Sequence, residues 1–419
     1  MYFTPLNLSS GSGEKLLHSV ASLASPELAA LAERLRRLFS IASPFAPGFH
    51  CLGGEIAIDS ELIADSDKTR LSVAGNGETL TAALVSCLGE AAEFLSQLER
   101  PGDIEADAAA GGPTNFVADG WIAAVLPRPG RTIDWIKATG ASTGGIALLP
   151  ADLCLRRSPT RRAIEPVAAL SCGVAAGATR EAAALHAILE LCERNAAAMW
   201  WLGGCRPKRF APDHPATIAA AALIDRLRQG ETTRRTVLLD ITTDNDVPVV
   251  AAVSVDRNGR GMACGVSSKL SASDAAKAAL LEMCQMEMAA PIAETKRAER
   301  GDAALNEADR RHLRRADFAA SKCELLIPRD ISPHNEDGPA AISGLDALTD
   351  HLRNRGVRLF LLDHTRQDIG INVMRAVSPD LQPFSTAVST KRFSDTVREN
   401  QDFFKNQGST IAERDVPLL

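Results

Sequence analysis

Residues 171–195 read SCGVAAGATREAAALHAILELCERN, a Gly- and Ala-rich loop that leads into an apolar helical pattern. Thr179 is a suitable N-cap for this helix, because its hydroxyl can accept a free backbone N–H of the first turn. Glu190 and Glu193 lie three residues apart, so they share one helix face, and Arg194 follows directly. A carboxylate pair in a buried helix needs a positive partner, since unpaired buried charges are costly.

Two other segments, residues 73–95 and 265–289, repeat this design. Each has a Gly- or Ser-rich loop, an N-cap candidate and an apolar helix that carries a polar pair three residues apart. The N-cap candidates are Thr79 in the first and Ser271 or Ser273 in the second, and the pairs are Glu90/Glu93 and Glu282/Gln285. Mg²⁺ prefers oxygen ligands and usually shares them with substrate phosphates. Free N–H groups at helix N-termini also suit phosphates, so the three segments predict a nucleotide bound through metal ions.

Two other interpretations of these pairs remain open. The acids could form ordinary ion pairs on helix surfaces, or they could hold a di-iron centre. A di-iron bundle favours Glu-x-x-His pairs, and none of the three pairs supplies a histidine. His186, one turn before Glu190, is interpreted as a hydrogen-bonded core histidine rather than as a ligand. The sequence contains no GxxxxGK[ST] loop, kinase signature, HExxH or GxSxG motif, so any nucleotide site lies outside the common folds.

Composition narrows the class of protein further. The chain has 419 residues, of which 45% are apolar, and a formal net charge of −6, which gives no global field for nucleic acid. Its apolar runs are interrupted or too short to span a bilayer. Nine cysteines form no CxxC pair. We therefore expect a cytoplasmic protein without structural disulfides, a zinc site, a membrane anchor or a nucleic-acid partner.

The pattern along the chain predicts a mixed α/β (α+β) fold without the strict βαβ alternation of a doubly wound sheet. One amphipathic helix is expected at Pro26–Phe39. Val237–Val255 predicts a β-hairpin, and Val357–Leu362 with Ile371–Val377 predicts a second strand pair.

The expected domain organisation is an N-terminal helical segment at residues 1–48 and a single catalytic domain at 49–419. Residues 293–345 are charged and predict an exposed helical excursion within that domain. Four arginines between residues 156 and 162 form a basic cluster, interpreted as a solvated loop: Arg156, Arg157, Arg161 and Arg162.

The same segments resemble the motifs of the YcaO family. Residues 171–195 closely resemble its central motif. Gly75-Asn76-Gly77, followed by Ser86, Glu90 and Glu93, is similar to the first motif of the family. The other matches are Asp240, Thr242, Asp244 through Pro248, Gly265, Glu282 and Gln285 for the third block, and Asp363-His364-Thr365, Gly370-Ile371 and Arg375 to Pro379 for the last strand pair. The resemblance runs in order from about Arg70 to Pro383. It implies a YcaO-type fold, with mixed sheets flanked by buried helices that carry the ExxE and ExxQ pairs.

The resemblance implies an ATP- and Mg²⁺-dependent enzyme that activates peptide backbone amides. In azoline-forming members, a Cys, Ser or Thr side chain attacks the preceding carbonyl, and ATP phosphorylates the resulting oxygen so that it can leave as phosphate. By carry-over, the metal ligands would be Glu90, Glu93, Glu190 and Glu193. The residues that contact the nucleotide or its ions would be Arg70, Ser86, Ser171, Arg194, Glu282, Gln285 and Arg375. Glu190, Glu193 and Arg194 would be catalytic.

Some positions depart from the family pattern. Asn76 stands where Lys is frequent, Cys172 replaces an Asn, Ala182 replaces an acid, Phe94 replaces an Arg and Asn195 replaces an Asp. Azoline-forming members often end in a Pro-x-Pro-x-Pro tail. The sequence here ends Asp415-Val416-Pro417-Leu418-Leu419, which contains one proline. Two alternatives therefore stay open. One is a thioamide-forming enzyme with a TfuA-type partner, and the other is a non-catalytic YcaO-like scaffold.

The resemblance also implies partners. The substrate would be a ribosomally synthesised precursor peptide. The N-terminal 45 residues are too short for a fused leader-binding domain, so we expect a separate leader-binding or ThiF-like subunit. A flavin dehydrogenase is a further expected partner, and the chain is expected to form a homodimer within a larger complex.

Overall fold

The computed structural model describes residues 2–8, 11–23, 25–58, 70–104, 121–122, 125, 130, 132–164, 172–318, 320, 323–332, 342–384 and 388–402. Its strands form three sheets. The first has the order β1-β2-β3-β4 and is antiparallel throughout: β1 (Phe3–Pro5), β2 (Leu35–Ile41), β3 (His50–Ala57) and β4 (Arg70–Gly77).

The second and third sheets have five strands each. The second has the order β6-β5-β13-β14-β7, with antiparallel neighbours: β5 (Trp135–Gly140), β6 (Ile146–Pro150), β7 (Val174–Gly177), β13 (Phe360–Asp363) and β14 (Asn372–Val377). The third has the order β11-β10-β9-β8-β12, in which β8 and β12 are parallel: β8 (Lys208–Arg209), β9 (Arg234–Asp240), β10 (Val249–Asp256), β11 (Ala263–Ser268) and β12 (Asp330–Ile331).

Helices lie between and against these sheets. They are α1 (Gly11–Leu23), α2 (Pro26–Ala32), α3 (Leu80–Gln97), α4 (Ala151–Cys154), α5 (Arg180–Ala197), α6 (Pro215–Arg228), α7 (Ala272–Glu287), α8 (Ala289–Arg300), α9 (Glu307–Asp317), α10 (Leu345–Asn354) and α11 (Lys391–Glu399). The mixed fold and both predicted strand pairs are confirmed, since β9 pairs with β10 and β13 pairs with β14. In the part of the chain that the structure describes, no helix is long and apolar enough to cross a membrane.

Three strand–helix units position the candidate site. The strands β4, β7 and β11 each lie at the edge of a different sheet, and each leads into one of the helices α3, α5 and α7. All three helices begin alike, because a hydroxyl at the N-cap accepts a backbone N–H three residues on, at 3.1 Å. The N-caps are Thr79, Thr179 and Ser271, as the sequence predicts.

The N-terminal region differs from the expected single helix. The helix α2 ends at Ala32, and Leu35–Ile41 is the strand β2. The predicted helix Pro26–Phe39 is therefore wrong in its second half. Leu31, Leu35 and Leu38 are buried and have helical spacing, but β2 pairs with strands on both sides, and this tertiary pairing overrides the local pattern.

The N-terminal region thus belongs to the first sheet, because β2, which lies before residue 48, pairs with β3, which lies after it. The charged excursion at residues 293–345 is predicted from the sequence to contain helices and loops. Its described residues include most of α8 and all of α9, with loops between the helices. All nine cysteines are free thiols, and seven of them are buried.

Candidate active site

The first acid of each pair binds the edge strand of its own unit. Edge strands carry unpaired backbone N–H groups, which need acceptors when they are buried. The N–H of Ala74 donates to Glu90 at 2.8 Å, that of Val174 to Glu190 at 3.2 Å and that of Val266 to Glu282 at 2.9 Å. Sixteen residues separate donor and acceptor in all three cases, so the three units are structural repeats.

The second residue of each pair binds the edge strand of the next unit. The three contacts are Glu93 with the N–H of Ala176 at 2.8 Å, Glu193 with the N–H of Ser268 at 3.3 Å, and Gln285 with the Asn76 side-chain amide at 2.5 Å. The helices follow the same order, since α3 contacts β7, α5 contacts β11 and α7 contacts β4. The six pair residues therefore form a closed ring between three sheets, which we call the carboxylate ring: Glu90, Glu93, Glu190, Glu193, Glu282 and Gln285.

The ring is acidic at two of its three junctions and neutral at the third, where Gln285 meets Asn76. Burial raises the pKa of Glu93 and of Glu193 to about 8. A backbone N–H opposes the rise at Glu93, and the charge of Arg194 opposes it at Glu193. Burial also raises the pKa values of Glu90 and Glu282. Burial thus disfavours the ionised form of these four acids, which a bound cation would stabilise.

Arg194 supplies positive charge to the ring. Its guanidinium lies 3.6 Å from Glu190 and 3.5 Å from Glu193. In each of these acids one oxygen accepts a backbone N–H and the other faces Arg194. Lys269 supplies more, because its charge lowers the pKa values of both Glu193 and Glu282.

The oxygen atoms of the carboxylate ring suit a hard cation whose remaining coordination positions are filled by other oxygens. The ring offers carboxylate and amide oxygens, which suit Mg²⁺ rather than a soft metal. Among the residues that the structure describes, no three His, Cys, Asp or Glu side chains converge as a preformed cage. Mg²⁺ is commonly held by one or two carboxylates together with substrate phosphates. The residues that fit this role are Glu90, Glu93, Glu190 and Glu193, which would bind Mg²⁺ ions that also contact the phosphates of a nucleotide.

The other predicted site residues lie at different distances from the ring. Ser86 is exposed on α3, one turn before Glu90 and on the same face. Arg375 is buried on β14, directly opposite Val174 in the strand register. Arg70 begins β4, four residues before Ala74, and pairs with Glu55 at 3.3 Å, so the structure does not bring it to the ring. Ser171 lies outside the described residues.

Two cations near the carboxylate ring, Lys269 and Arg156, are not predicted as site residues, and the sequence places Arg156 only in the basic loop. Lys269 stands three residues after Val266, where the other units have Gly77 and Gly177, and only an alignment of the three units would single it out. Arg156 stacks over the ring of Phe94 at 4.4 Å and comes from a different part of the chain. His186 is exposed rather than in the core, and it hydrogen-bonds to the backbone of Ala176.

The basic loop also differs from the expected solvated loop. Arg157 is fully buried and bonds to Glu99, Asp134 and Asp152, with Nε 3.0 Å from Glu99 and Nη1 2.6 Å from Asp152. This network fixes the loop after α4 against the end of α3. Burial without these three acids would be costly for a guanidinium.

Solved structures of known proteins share this fold. One is a heterocyclase in complex with substrate and cofactor, with a TM-score of 0.65 and 19% identity over 93% of this chain. The chain spans 56% of that protein's length. Another is YcaO from Methanopyrus kandleri bound with AMPPCP and Mg²⁺, with a TM-score of 0.60, 18% identity, and 90% of this chain and 94% of that chain covered. The E. coli microcin synthetase McbBCD complex with pro-MccB17 bound has a TM-score of 0.57, 15% identity and 91% coverage of both chains.

Sequence comparison gives the family. An uncharacterized protein of Methanothermobacter thermautotrophicus is 28% identical over 336 residues, which are 74% of this chain and 82% of that protein. The profile of the family described as YcaO cyclodehydratase, ATP- and Mg²⁺-binding, matches residues 74–382, which include the whole carboxylate ring. The chain therefore belongs to the YcaO cyclodehydratase family, and it is an enzyme that uses ATP and Mg²⁺.

Proposed function

We propose that this enzyme activates backbone amides of a ribosomally synthesised precursor peptide and converts Cys, Ser or Thr residues to thiazolines or oxazolines. The observation that carries the proposal is the carboxylate ring. It gathers five acids and one amide between three sheets, and the described cations that act on these acids are Arg194 and Lys269. Such a cluster has a physical reason to persist if cations and phosphates complete it.

In the proposed mechanism, a Cys, Ser or Thr side chain of the peptide attacks the preceding carbonyl carbon and loses its proton. Transfer of the terminal phosphoryl group of ATP to the carbonyl oxygen, with release of ADP, would let that oxygen leave as phosphate while the former amide nitrogen loses its proton. Glu90, Glu93, Glu190 and Glu193 would hold the Mg²⁺ ions that neutralise the charge of the phosphates. Their backbone hydrogen bonds fix each carboxylate, so little reorganisation is needed during the reaction. Arg194, which contacts Glu190 and Glu193, would hold a phosphate oxygen of the nucleotide. Ser86, Ser171, Glu282, Gln285 and Arg375 would contact the nucleotide or its ions. Arg70 would have to leave its pair with Glu55 to join them.

The proposal includes partners. A separate leader-binding or ThiF-like subunit would capture the precursor peptide, and a flavin dehydrogenase would oxidise the product. A homodimer within a larger complex, located in the cytoplasm, is proposed as well. The fold shared with a chain of the E. coli microcin synthetase McbBCD complex with pro-MccB17 bound supports this arrangement.

Mass spectrometry of the peptide tests the reaction. The enzyme is incubated with precursor peptide, partner subunit, ATP and Mg²⁺. We expect the peptide to lose the mass of one water for each ring formed, while ATP is consumed. Glu190→Gln should reduce turnover by about a hundredfold or more, since it weakens an ion ligand in the transition state, with little change in thermal stability.

Peptide mass, together with calorimetry of ATP binding, separates the alternative functions. Replacement of one oxygen by sulfur in the presence of sulfide and a TfuA-type partner would identify a thioamide-forming enzyme instead. Calorimetry that detects no Mg²⁺-dependent ATP binding would identify a non-catalytic scaffold. Consumption of ATP without any change in peptide mass would refute the azoline reaction.

A further inference from the structure

The four arginines of the loop between residues 155 and 164 divide into two pairs with opposite surroundings. Arg157 and Arg161 face acids. Arg157 is held by Glu99, Asp134 and Asp152, and Arg161 pairs with Glu99 at 3.0 Å. The charges of these two arginines are therefore balanced within the fold.

Arg156 and Arg162 face other cations instead. The guanidinium of Arg156 lies 4.4 Å from the centre of the Phe94 ring, and its Nε is buried without a hydrogen-bond partner. The charges that act on it most strongly are those of Arg375 and Arg162. Arg162 donates from Nε to the backbone carbonyl of Arg157 at 2.9 Å. Within the described ranges, neither Arg156 nor Arg162 forms an ion pair with an acid.

The fold holds this cluster in place despite the repulsion between like charges. The N–H of Arg156 donates to the Gln97 carbonyl at 2.7 Å, at the end of α3. Farther along the loop, Asp152 accepts the N–H groups of Ala163 and Ile164 at 2.7 and 2.6 Å. The loop cannot simply swing out to separate its arginines, so a bound anion is the natural way to balance their charge.

The cluster borders the carboxylate ring. Phe94, which supports Arg156, directly follows Glu93. Arg375 stands opposite Val174, whose N–H binds Glu190. An anion at the cluster therefore lies beside the residues proposed to hold the Mg²⁺ ions and the nucleotide phosphates.

We propose that Arg156, Arg162 and Arg375 form a binding site for a phosphate oxyanion next to the carboxylate ring. Guanidinium groups offer paired N–H donors that match the oxygens of such an anion. The anion is either the terminal phosphoryl group of the bound nucleotide or free inorganic phosphate. The location of the site rests on the proposed function, whereas the arginine cluster itself does not.

Titration calorimetry with inorganic phosphate and Mg²⁺ tests the site without any peptide. Arg156→Gln and Arg162→Gln should each weaken phosphate binding about tenfold or more, because charged hydrogen bonds are lost. Arg161→Gln is the matched control, since it removes a loop arginine that pairs with Glu99. Arg156→Lys keeps the positive charge but not the paired N–H donors of the guanidinium, so its phosphate affinity should fall between those of wild type and Arg156→Gln.

Equal phosphate affinity in wild type, Arg156→Gln and Arg162→Gln would overturn the proposal, and so would an equal loss in Arg161→Gln. Repeating the titration with saturating AMPPCP or ADP separates the two sources of the anion. If AMPPCP blocks phosphate binding and ADP does not, the site takes the terminal phosphoryl group; if neither blocks it, the site takes free phosphate. If the variants lose phosphate while wild-type enzyme fails to modify any peptide, the anion site stands and the amide reaction falls.

Discussion

At the residue scale, Glu93 and Glu193 are acids that the fold makes hard to ionise. Their pKa values rise to about 8 because they are buried. A raised carboxyl pKa means that the folded state binds more protons than the unfolded state between the ordinary pKa and the raised one. Stability is then present below about pH 4.5 and is lost as pH rises through about 8.

We therefore expect the ligand-free enzyme to unfold at lower temperature at pH 8 than at pH 6. Glu93→Gln and Glu193→Gln should flatten this dependence and stabilise the free enzyme at pH 8, by on the order of 1–3 kcal/mol each, since one pKa unit corresponds to about 1.4 kcal/mol. Thermal unfolding followed by circular dichroism across this range measures the effect.

The control has the opposite sign. Glu181 lies in the first turn of α5, where hydrogen bonds to its own backbone and to Thr179 lower its pKa. Its ionised form is favoured in the folded state, so Glu181→Gln should slightly lower stability at pH 8. A pH slope that is unchanged in Glu93→Gln and Glu193→Gln would contradict the interpretation of the ring.

The sequence predicts the acids of the ring but not how they are held. Spacing within one helix identifies Glu90/Glu93, Glu190/Glu193 and Glu282/Gln285 as pairs. The second residue of each pair, however, binds a strand 75 to 209 positions away, as in Glu93 with Ala176. Arg156 on Phe94 is a contact of the same kind. Such contacts depend on how three sheets meet, and local pattern carries no information about that.

At the element scale, a glycine sets how closely α3 lies on β4. A Cβ atom on Gly75 would come 2.2 Å from the backbone nitrogen of Cys87, so only glycine permits this approach. The approach also lets Glu90 reach the N–H of Ala74. The close contact of strand and helix is therefore a condition for the first acid of the ring to be in place.

Gly75→Ala should destabilise the fold by about 1–3 kcal/mol or more, because the methyl group meets backbone atoms that cannot rotate away. It should also weaken MgATP binding, since α3 must move from β4. Gly89→Ala is the matched control on the same helix, where nothing lies within 4 Å of an added Cβ. It should stabilise the enzyme by about 0.5–1 kcal/mol, because glycine is a poor helix former. Denaturant unfolding measures both, and similar effects of the two substitutions would exclude the packing argument.

Element type follows from the sequence where pattern and pairing agree. The strands β9 and β10 contain apolar stretches and are neighbours in the chain, and they pair as an antiparallel hairpin. The stretch Leu35–Ile41 has helical spacing and yet forms a central strand, since β1 and β3 supply hydrogen bonds on both sides. The partner β1 contains only Phe3–Pro5, and a three-residue strand has no pattern of its own to predict.

At the scale of the whole molecule, the carboxylate ring joins three sheets that share no strand. Each edge strand donates a backbone N–H to at least one acid that is a proposed ion ligand: β4 to Glu90, β7 to Glu93 and Glu190, and β11 to Glu193. Binding of MgATP should therefore stabilise the contacts between all three units together. Ligand binding to the folded state alone raises its stability by mass action.

The same arrangement makes nucleotide binding depend on pH. Glu93 and Glu193 are mostly protonated at pH 7, because their pKa values are about 8 in the free enzyme. A carboxylate must lose its proton to hold an ion, so binding of MgATP should release roughly one to two protons at pH 7 and fewer as pH approaches 9. The affinity for MgATP should accordingly rise between pH 6 and pH 8.

Calorimetry in buffers with different ionisation enthalpies counts these protons. The slope of the observed heat against buffer enthalpy should show release at pH 7, and Glu93→Gln should reduce the slope because it removes one of the two acids. Glu78→Gln, on the exposed loop before α3, is the control, since Glu78 pairs with Arg226 rather than with the ring. A heat of MgATP binding that is independent of the buffer at pH 7 would show that the raised acids do not hold the ions. In that case Arg194 would be the permanent counter-charge of the two acids that it contacts, Glu190 and Glu193.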